Sequence, residues 1–343
     1  MIDANLTIDR SRFYHNTATT NGGVLVAIKG TVTIWESEFN HNTANWYGGA
    51  FSLNSINHVT VGRSHFTENE AREGAALNVY LSTLILHYTD LRENKGSLGA
   101  LYTSRSDISF HGICRMMNNT AQIGGAISAM ATKLKMYDQT TIMHNNATDT
   151  GGGAYIYHSE LFCQYEGALY FYGNVASNKG GGVHAINSYV TVFSDVDEPS
   201  SLHFIRNVAH LGGGIYLEST AGISVQIRSA SLTLSSKPTY LSFVENSAEY
   251  GGAIYVTDET NIGTCTGHDY SPHSSDVCFL QATNSRDIEL NFSSNQAKLG
   301  STLYGGLLDR CKVTLYPIMM YGMTFFEKVS GTHDVSQISS RPV

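Results

Sequence analysis

Phe13-Tyr-His-Asn16-Thr-Ala18 is followed 26 residues later by Phe39-Asn-His-Asn42-Thr-Ala44, and this repeat decides the fold. With conservative replacements the F-x-x-N-x-A pattern occurs ten times, and its asparagines are Asn16, Asn42, Asn69, Asn94, Asn119, Asn145, Asn174, Asn207, Asn246 and Asn295. After most of them comes a turn of small residues and an aliphatic residue, as in Gly124-Gly125-Ala126-Ile127. Tandem copies of one unit indicate a repeat architecture.

The spacing of the asparagines predicts one coil of a solenoid per copy. Successive asparagines are 26, 27, 25, 25, 26, 29, 33, 39 and 49 residues apart, so insertions lengthen the later copies. Apolar and polar residues alternate between the motifs, as in Val32-Thr-Ile34, which indicates short strands. Such a unit buries its apolar face only by stacking on its neighbours. We therefore predict an all-β fold, a right-handed parallel β-helix of about ten coils, over residues 1–315, with an irregular tail or the start of the next segment over 316–343.

Two residues of the motif have predicted structural roles. Phe13, Phe39 and Phe66 are expected to point inward and stack in one column. The ten asparagines are expected to form a ladder, in which each side-chain amide bonds the backbone of the turn and the asparagine one coil away. Because Met1 opens directly into an alternating run, we also expect the chain to be a fragment that begins within a coil.

The two motifs resemble the paired repeat of the chlamydial polymorphic outer-membrane proteins, a family of autotransported adhesins with right-handed β-helical passengers. The resemblance covers roughly residues 5 to 305. Gly252-Ala253-Ile254-Tyr255-Val256 and the stretch from Leu303 to Cys311 also resemble the terminal coils of large β-helix proteins of sponges and corals. The resemblance implies a structural or adhesive module at a cell surface, without enzymatic activity.

Composition and charge exclude several classes of protein. Charged residues are 15% of the chain, against about 25% in an average protein, and 21 basic and 29 acidic residues give a net charge of -8. No basic run could follow a phosphate backbone, so we expect no nucleic-acid partner. No apolar stretch is long enough to span a membrane. We expect extracellular glycans or cell-surface proteins as partners, and a signal peptide or anchor outside this fragment.

The cysteines and the glycosylation motifs favour an oxidising, extracellular location. Of five cysteines, Cys265 and Cys278 bracket a polar segment of the longest insertion and are the favoured disulfide, although either could instead bond Cys311. Cys114 is expected to be a buried free thiol. N-x-S/T acceptor motifs occur at Asn5, Asn118, Asn146 and Asn291.

One column of outward residues is a candidate binding surface. It is predicted from the residue that follows the first inward aliphatic of each coil: Leu25, Phe51, Asn78, Thr103, Ser128, Tyr155, His184, Tyr216, Tyr255 and Tyr304. The tyrosines of its second half, Tyr155, Tyr216, Tyr255 and Tyr304, could form a flat strip that binds a glycan or a protein. The alternative is that tyrosine is simply a good strand former there, covered by the inserted loops.

Enzymatic activity is the competing interpretation, because parallel β-helices also carry pectin-cleaving lyases and hydrolases. The densest acidic group, Asp195-Val-Asp197-Glu198, lacks the spacing of a calcium loop. His15, His41 and His144 each precede a ladder asparagine and are interpreted as surface residues rather than metal ligands. We therefore predict no catalytic, metal or cofactor site, with a polysaccharide lyase or glycoside hydrolase as the alternative.

Overall fold

The computed structural model describes residues 2–164, 166–195, 199–228, 239–257, 280–282, 288–305 and 334–335. These ranges contain strands, turns and bends and no helix. Strands of successive coils pair in parallel and in register, for example Leu77–Tyr80 on Leu101–Ser104. The fold is therefore an all-β parallel solenoid, and the predicted class is confirmed.

Three sheets make up the solenoid. The twenty-stranded sheet contains Ile2–Asp9, Leu25–Trp35, Phe51–Asn54, His58–Gly62, Leu77–Tyr80, Thr83–His87, Leu101–Ser104, Asp107–His111, Ile127–Met130, Lys133–Met136, Ala154–Tyr157, Glu160–Gln164, Val183–Ile186, Tyr189–Asp195, Ile215–Glu218, Gly222–Arg228, Ile254–Val256, Leu280–Ala282, Leu303–Gly305 and Asp334–Val335. The ten-stranded sheet contains Arg12–Tyr14, Glu38–Asn40, His65–Thr67, Asp90–Arg92, Cys114–Met117, Gln139–Met143, Ala168–Tyr172, Ser201–Ile205, Thr239–Val244 and Ile288–Ser293. The seven-stranded sheet contains Thr17–Ala18, Thr43–Ala44, Glu70–Glu73, Lys95–Leu98, Thr120–Ile123, Asn146–Thr150 and Val175–Ala176.

One coil passes through all three sheets. It contributes two consecutive runs to the twenty-stranded sheet, then one strand to the ten-stranded sheet, then the asparagine turn, and then one strand to the seven-stranded sheet before the glycine turn. The last coils continue the seven-stranded sheet only as single bridges, such as Val208 to Ser247 and Ser247 to Gln296. This is why one sheet has ten strands and its neighbour has seven.

Two kinds of turn give the coil its corners. The residue before each ladder asparagine has a left-handed backbone, as His41 does at φ 55° and Glu93 at φ 55°. At the glycine turn, Gly124 has φ 65°, a conformation that a residue with a Cβ adopts only at a cost. The next glycine serves close approach instead, because a Cβ on Gly181 would lie 2.4 Å from the carbonyl oxygen of Gly213 in the following coil.

The interior is filled by columns of identical or similar side chains. Phe13 stacks on Phe39 with ring centroids 5.1 Å apart, and Phe39 stacks on Phe66 at 4.8 Å. Leu91, Met116 and Ile142 continue this column in the next three coils, and four further phenylalanines complete it: Phe171, Phe204, Phe243 and Phe292. A continuous apolar core therefore runs along the axis.

The predicted domain boundary between residues 315 and 316 lies outside the described residues. Within the predicted tail, Asp334–Val335 pairs with Leu303–Gly305. Among the described strands this pairing is antiparallel. All other strand pairings of the described residues are parallel.

Candidate functional site

The ten ladder asparagines lie in one column and are bonded from coil to coil. Asn119 shows the pattern: its Nδ2 donates to Oδ1 of Asn145 at 2.9 Å and to the carbonyl oxygen of Leu91 at 3.0 Å, and its backbone N–H donates to the same Oδ1 at 2.9 Å. Equivalent amide-to-amide bonds join every step from Asn16 to Asn295. Asn119 is fully buried, so the ladder holds the coils together and does not face a ligand.

The outward column of the first run differs from the predicted one at three positions. Parallel pairing joins Val26, Ser52, Asn78, Tyr102, Ser128, Tyr155, His184, Tyr216, Tyr255 and Tyr304. Leu25 and Phe51 point inward, because Val24 and Ala50 still belong to the glycine turn and the strand begins one residue later than predicted. Thr103 is also inward and fully buried, one residue beyond Tyr102. A one-residue slip reverses the face of a strand residue.

This corrected column is the floor of a recessed surface that we call the outer groove. Ser52, Asn78 and Ser128 point outward and yet are buried, so larger neighbours rise above them. One wall is the column at the glycine turn: Asn21, Tyr47, Glu73, Leu98, Ile123, Thr150, Lys179, Leu211, Tyr250 and Leu299. The other wall is the column at the end of the first run: Ile28, Asn54, Tyr80, Ser104, Met130, Tyr157, Ile186 and Glu218.

The tyrosines of the floor stack on one another along the axis. Tyr216 and Tyr255 have ring centroids 4.9 Å apart and planes inclined by 16°, and Tyr255 and Tyr304 are 5.4 Å apart. Tyr216 is only 4% exposed, whereas Tyr155, Tyr255 and Tyr304 are half-buried. Neighbouring tyrosine rings of the floor therefore pack against one another along the axis.

A polar network crosses the second half of the groove. Lys179 Nζ lies 3.0 Å from Glu218 Oε2 and 4.8 Å from the centroid of the Tyr216 ring. His184 Nε2 lies 3.3 Å from the same carboxylate oxygen, and His184 Nδ1 contacts the hydroxyl of Thr150. Side chains from both walls and the floor thus meet over Tyr216.

The protonation states in this network follow from burial and pairing. The hydrogen bond from His184, together with that from Lys179, lowers the pKa of Glu218 to about 2 despite its partial burial. Burial lowers the pKa of His184, although Glu218 opposes this shift. Burial also lowers the pKa of Lys179, but the hydrogen bond to Glu218 outweighs it and the net shift is upward. Near neutral pH the network is a neutral imidazole beside a closed ammonium–carboxylate pair.

The network links a hydroxyl, an imidazole and a carboxylate, as a catalytic triad does; these belong to Thr150, His184 and Glu218. Thr150 is 6% exposed. The backbone N–H groups of the following Gly151, Gly152 and Gly153 all donate to carbonyl oxygens of the next coil. An acyl-transfer site needs free donors for the oxyanion, and these donors are already used. The arrangement therefore supports packing of the groove rather than nucleophilic chemistry.

A second polar feature occurs in the first half of the groove, around Glu73. Tyr47 precedes Glu73 by one coil on the same wall, Tyr80 stands on the opposite wall, and Tyr102 is on the floor one coil later. Burial raises the pKa of Tyr102, and the charge of Glu73 raises it further, with Tyr47 and Tyr80 acting in the same direction. Burial raises the pKa of Glu73 itself, with Arg72 opposing.

The other candidate residues are distributed as follows. Cys265, Cys278 and Cys311 lie outside the described residues, and so do Asp197 and Glu198. Cys114 is a buried free thiol, as expected, and burial raises its pKa to about 11. Cys163 is likewise free and buried. The four acceptor asparagines of the glycosylation motifs are all exposed: Asn5, Asn118, Asn146 and Asn291.

The histidines at the asparagine turn do not converge on a metal. His15 and His41 lie against each other with ring centroids 4.8 Å apart, and His41 Nε2 is 2.8 Å from Glu68 Oε2. His144 packs edge-on against Tyr172. Among the described residues, no group of three or more His, Cys, Asp or Glu side chains could hold a metal ion.

The described part of the chain also has no helix that could cross a membrane.

Comparison with known proteins gives two local similarities. A family model described as the Chlamydia polymorphic membrane protein repeat matches residues 240–257. A probable outer membrane protein PmpG of Chlamydia muridarum (strain MoPn / Nigg) is 31% identical over 130 residues, which cover 35% of this chain and 13% of that protein. The chain thus spans a small part of the length of the relative it matches. No solved structure matches the chain. The resemblance to β-helix proteins of sponges and corals stays a prediction.

Proposed function

We propose that this chain is a non-enzymatic adhesion module that is displayed at a cell surface or secreted. The observation that carries the proposal is the similarity to a chlamydial outer membrane protein, which falls on a regular repeat solenoid. A ladder of buried amides and a continuous apolar core make the solenoid a stiff support for a binding surface. Rigid scaffolds of this kind commonly present binding residues on their outer faces.

The outer groove is the proposed contact surface, and extracellular glycans or cell-surface proteins are the proposed partners. Tyr155, Tyr255 and Tyr304 are half-buried, so their ring edges and hydroxyl groups can meet a partner. The insertions that lengthen the coils begin after Asn174 and therefore accompany the tyrosine-rich part of the groove. Recognition would then be concentrated in the second half of the solenoid.

The proposal is tested by attachment of protein-coated beads to cultured epithelial cells. A variant with Tyr155, Tyr255 and Tyr304 replaced by Ala should lose most of the attachment. Tyr216 is left unchanged because it is buried and its loss would create a cavity.

The matched control replaces three exposed tyrosines outside the groove with Ala: Tyr14, Tyr88 and Tyr240. It should attach as the wild type does, and circular dichroism should show both variants folded. Equal attachment by the wild type and the groove variant would refute the groove as the contact surface. Failure of the wild type to attach to any cell line or glycan array would refute the adhesive role.

An extracellular location also predicts that Cys265 and Cys278 form a disulfide. Closing a loop of this length stabilises a protein by about 3 kcal/mol in the chain-entropy model. Peptide mapping without reduction, on protein made in an oxidising compartment, should recover the linked pair. Recovery of both residues as free thiols would argue against that location.

The absence of enzymatic activity is tested separately. The protein should leave pectin and other acidic polysaccharides uncleaved, with and without added Ca²⁺. Unsaturated or reducing products above those of a heat-inactivated sample would instead establish a polysaccharide lyase or hydrolase.

A further inference from the structure

We propose that the first half of the outer groove contains a binding site for an alkylammonium group, formed by the carboxylate of Glu73 and the rings of Tyr47, Tyr80 and Tyr102. The inference does not depend on the adhesive role, because it concerns a defined chemical group and four defined residues of the groove. It rests on a comparison within the molecule, since the second half of the same groove already holds an ammonium group of the chain itself.

Lys179 shows what the groove does with an ammonium group. Its side chain starts from the wall at the glycine turn and crosses the floor to Glu218 on the opposite wall, with Nζ 3.0 Å from Oε2. On the way Nζ lies 4.8 Å from the centroid of the Tyr216 ring. One charge-assisted hydrogen bond and one aromatic face are the two contacts that select organic cations.

The first half contains the same two kinds of group without the cation. Glu73 supplies a half-buried carboxylate, and within the described ranges burial and the charge of Arg72 are what act on it, with no hydrogen bond or ion pair to that carboxylate. Arg72 is the cation that acts on it, but its guanidinium lies over the ring of Trp46, 5.0 Å from the centroid. The carboxylate therefore lacks the close positive partner that Glu218 has.

Three tyrosines stand in the columns of the groove next to Glu73. Tyr47 is the wall residue of the preceding coil, Tyr80 is on the opposite wall, and Tyr102 is on the floor of the following coil. Burial raises the pKa of Tyr102, and Glu73, Tyr47 and Tyr80 raise it further, in keeping with their places in neighbouring columns. A carboxylate among phenol rings attracts a cation through both the charge and the ring faces.

The site is also open to a ligand. Tyr47 is 37% exposed, and Glu73, Tyr80 and Tyr102 are half-buried. In the second half the corresponding space over Tyr216 is filled, and that ring is only 4% exposed. Lys179 and Leu98 belong to the same wall column, and Leu98 is the residue one coil after Glu73. The chain therefore supplies no ammonium group from that position.

The direct test is titration with n-butylammonium, followed by saturation-transfer NMR and calorimetry. The uncharged isostere 1-butanol serves as the ligand control. The wild type should bind n-butylammonium at one site and bind 1-butanol at least about tenfold more weakly, since the alcohol lacks the charge. Equal binding of the two ligands would overturn the proposal.

Two matched variants locate the site. Glu73→Gln keeps the size of the side chain and should weaken n-butylammonium binding by about tenfold or more, because the charge is removed. Glu93→Gln removes an exposed carboxylate at the asparagine turn and should leave binding unchanged. If Glu73→Gln binds as the wild type does, or if both variants lose binding equally, the assignment to Glu73 is refuted.

The comparison with Lys179 is itself tested by the substitution Lys179→Ala. This substitution removes the internal ammonium group and leaves Glu218 and Tyr216 in place, so n-butylammonium should now bind at two sites instead of one. Bound n-butylammonium should also restore part of the thermal stability that Lys179→Ala loses. A folded Lys179→Ala protein without a second site would overturn the inference, because the Lys179 arrangement would then be no guide to what the groove binds.

A lysine side chain of a partner protein and a free small amine offer the same chemistry. An N-acetylated, C-amidated Gly-Lys-Gly peptide and its norleucine analogue separate these sources. Displacement of n-butylammonium by the lysine peptide alone identifies a protein side chain as the occupant. Exclusion of both peptides limits the site to small free amines.

Discussion

The two halves of the outer groove share one backbone but differ in how their charges are paired. In the second half Lys179 and Glu218 reach each other from opposite walls, and His184 completes the contact. In the first half the carboxylate of Glu73 stands among tyrosines with its nearest cation directed elsewhere. The comparison teaches that the interior fixes where each side chain stands, whereas the surface chemistry can change from one coil to the next.

The largest expected effect concerns what the two halves have in common, which is the ladder. Asn119→Ala and Asn207→Ala should each lower the free energy of unfolding by about 3 kcal/mol, because each substitution leaves buried amides without partners. Urea titration measures the loss. Lys95→Ala, at an exposed position next to Asn94, should cost less than about 0.5 kcal/mol. A clearly smaller loss at one asparagine would mean that the two halves are not supported in the same way.

The next largest effect separates the halves. Glu218→Gln should lower the free energy of unfolding by about 1 to 3 kcal/mol, because Lys179 and the largely buried His184 lose their charged acceptor. Glu73→Gln should be neutral or slightly stabilising, since it removes a partly buried charge with no close partner. Thermal denaturation of the two variants side by side gives the comparison. Equal destabilisation would show that Glu73 is paired as well as Glu218 is.

A smaller effect with opposite signs is expected from pH. The folded-state pKa of Glu218 is about 2, below its usual 4.5, so its stabilisation is complete above about pH 4.5 and is lost as the pH falls toward 2. The pKa of Glu73 is raised, so its ionisation costs stability at neutral pH, and acidification relieves that cost.

Urea titrations at about pH 7 and about pH 3 test this sign difference. The deficit of Glu218→Gln relative to the wild type should shrink at low pH, and any advantage of Glu73→Gln should disappear there. His184 adds to the loss of wild-type stability below its usual pKa of 6.5, because the unfolded chain binds that proton more readily than the folded one. Deficits that stay constant with pH would contradict the assigned protonation states.

Much of the fold could be predicted from the sequence because the interior is a one-dimensional pattern. The spacing of Asn16 and Asn42 is explained by stacking of successive coils, and Phe13 and Phe39 recur at the same spacing. The sequence alone therefore predicts which residues contact each other in these two columns. The faces of Leu25 and Phe51 could not be predicted as securely. Their assignment depends on where the glycine turn ends, and one residue there reverses the face.

The groove was harder to predict because its contacts join different columns. Lys179 and Glu218 are 39 residues apart and stand on opposite walls, so no spacing in the sequence connects them. The tyrosine column was visible, but the orientation of its rings was not, since a ring can lie flat on the surface or stack along the axis. A sequence signal does exist: a lysine three coils after a leucine at the same wall position, facing a glutamate.

The direction of the ladder has a mechanical consequence. The amide bonds and the strand pairings run along the solenoid axis, so tension applied between the two ends loads the pairing of one terminal coil at a time. Coils should peel off in sequence, and each released coil of 26 residues, as between Asn119 and Asn145, adds roughly 90 Å of extended chain. A tether built in this way yields in steps at low force and keeps its remaining coils intact.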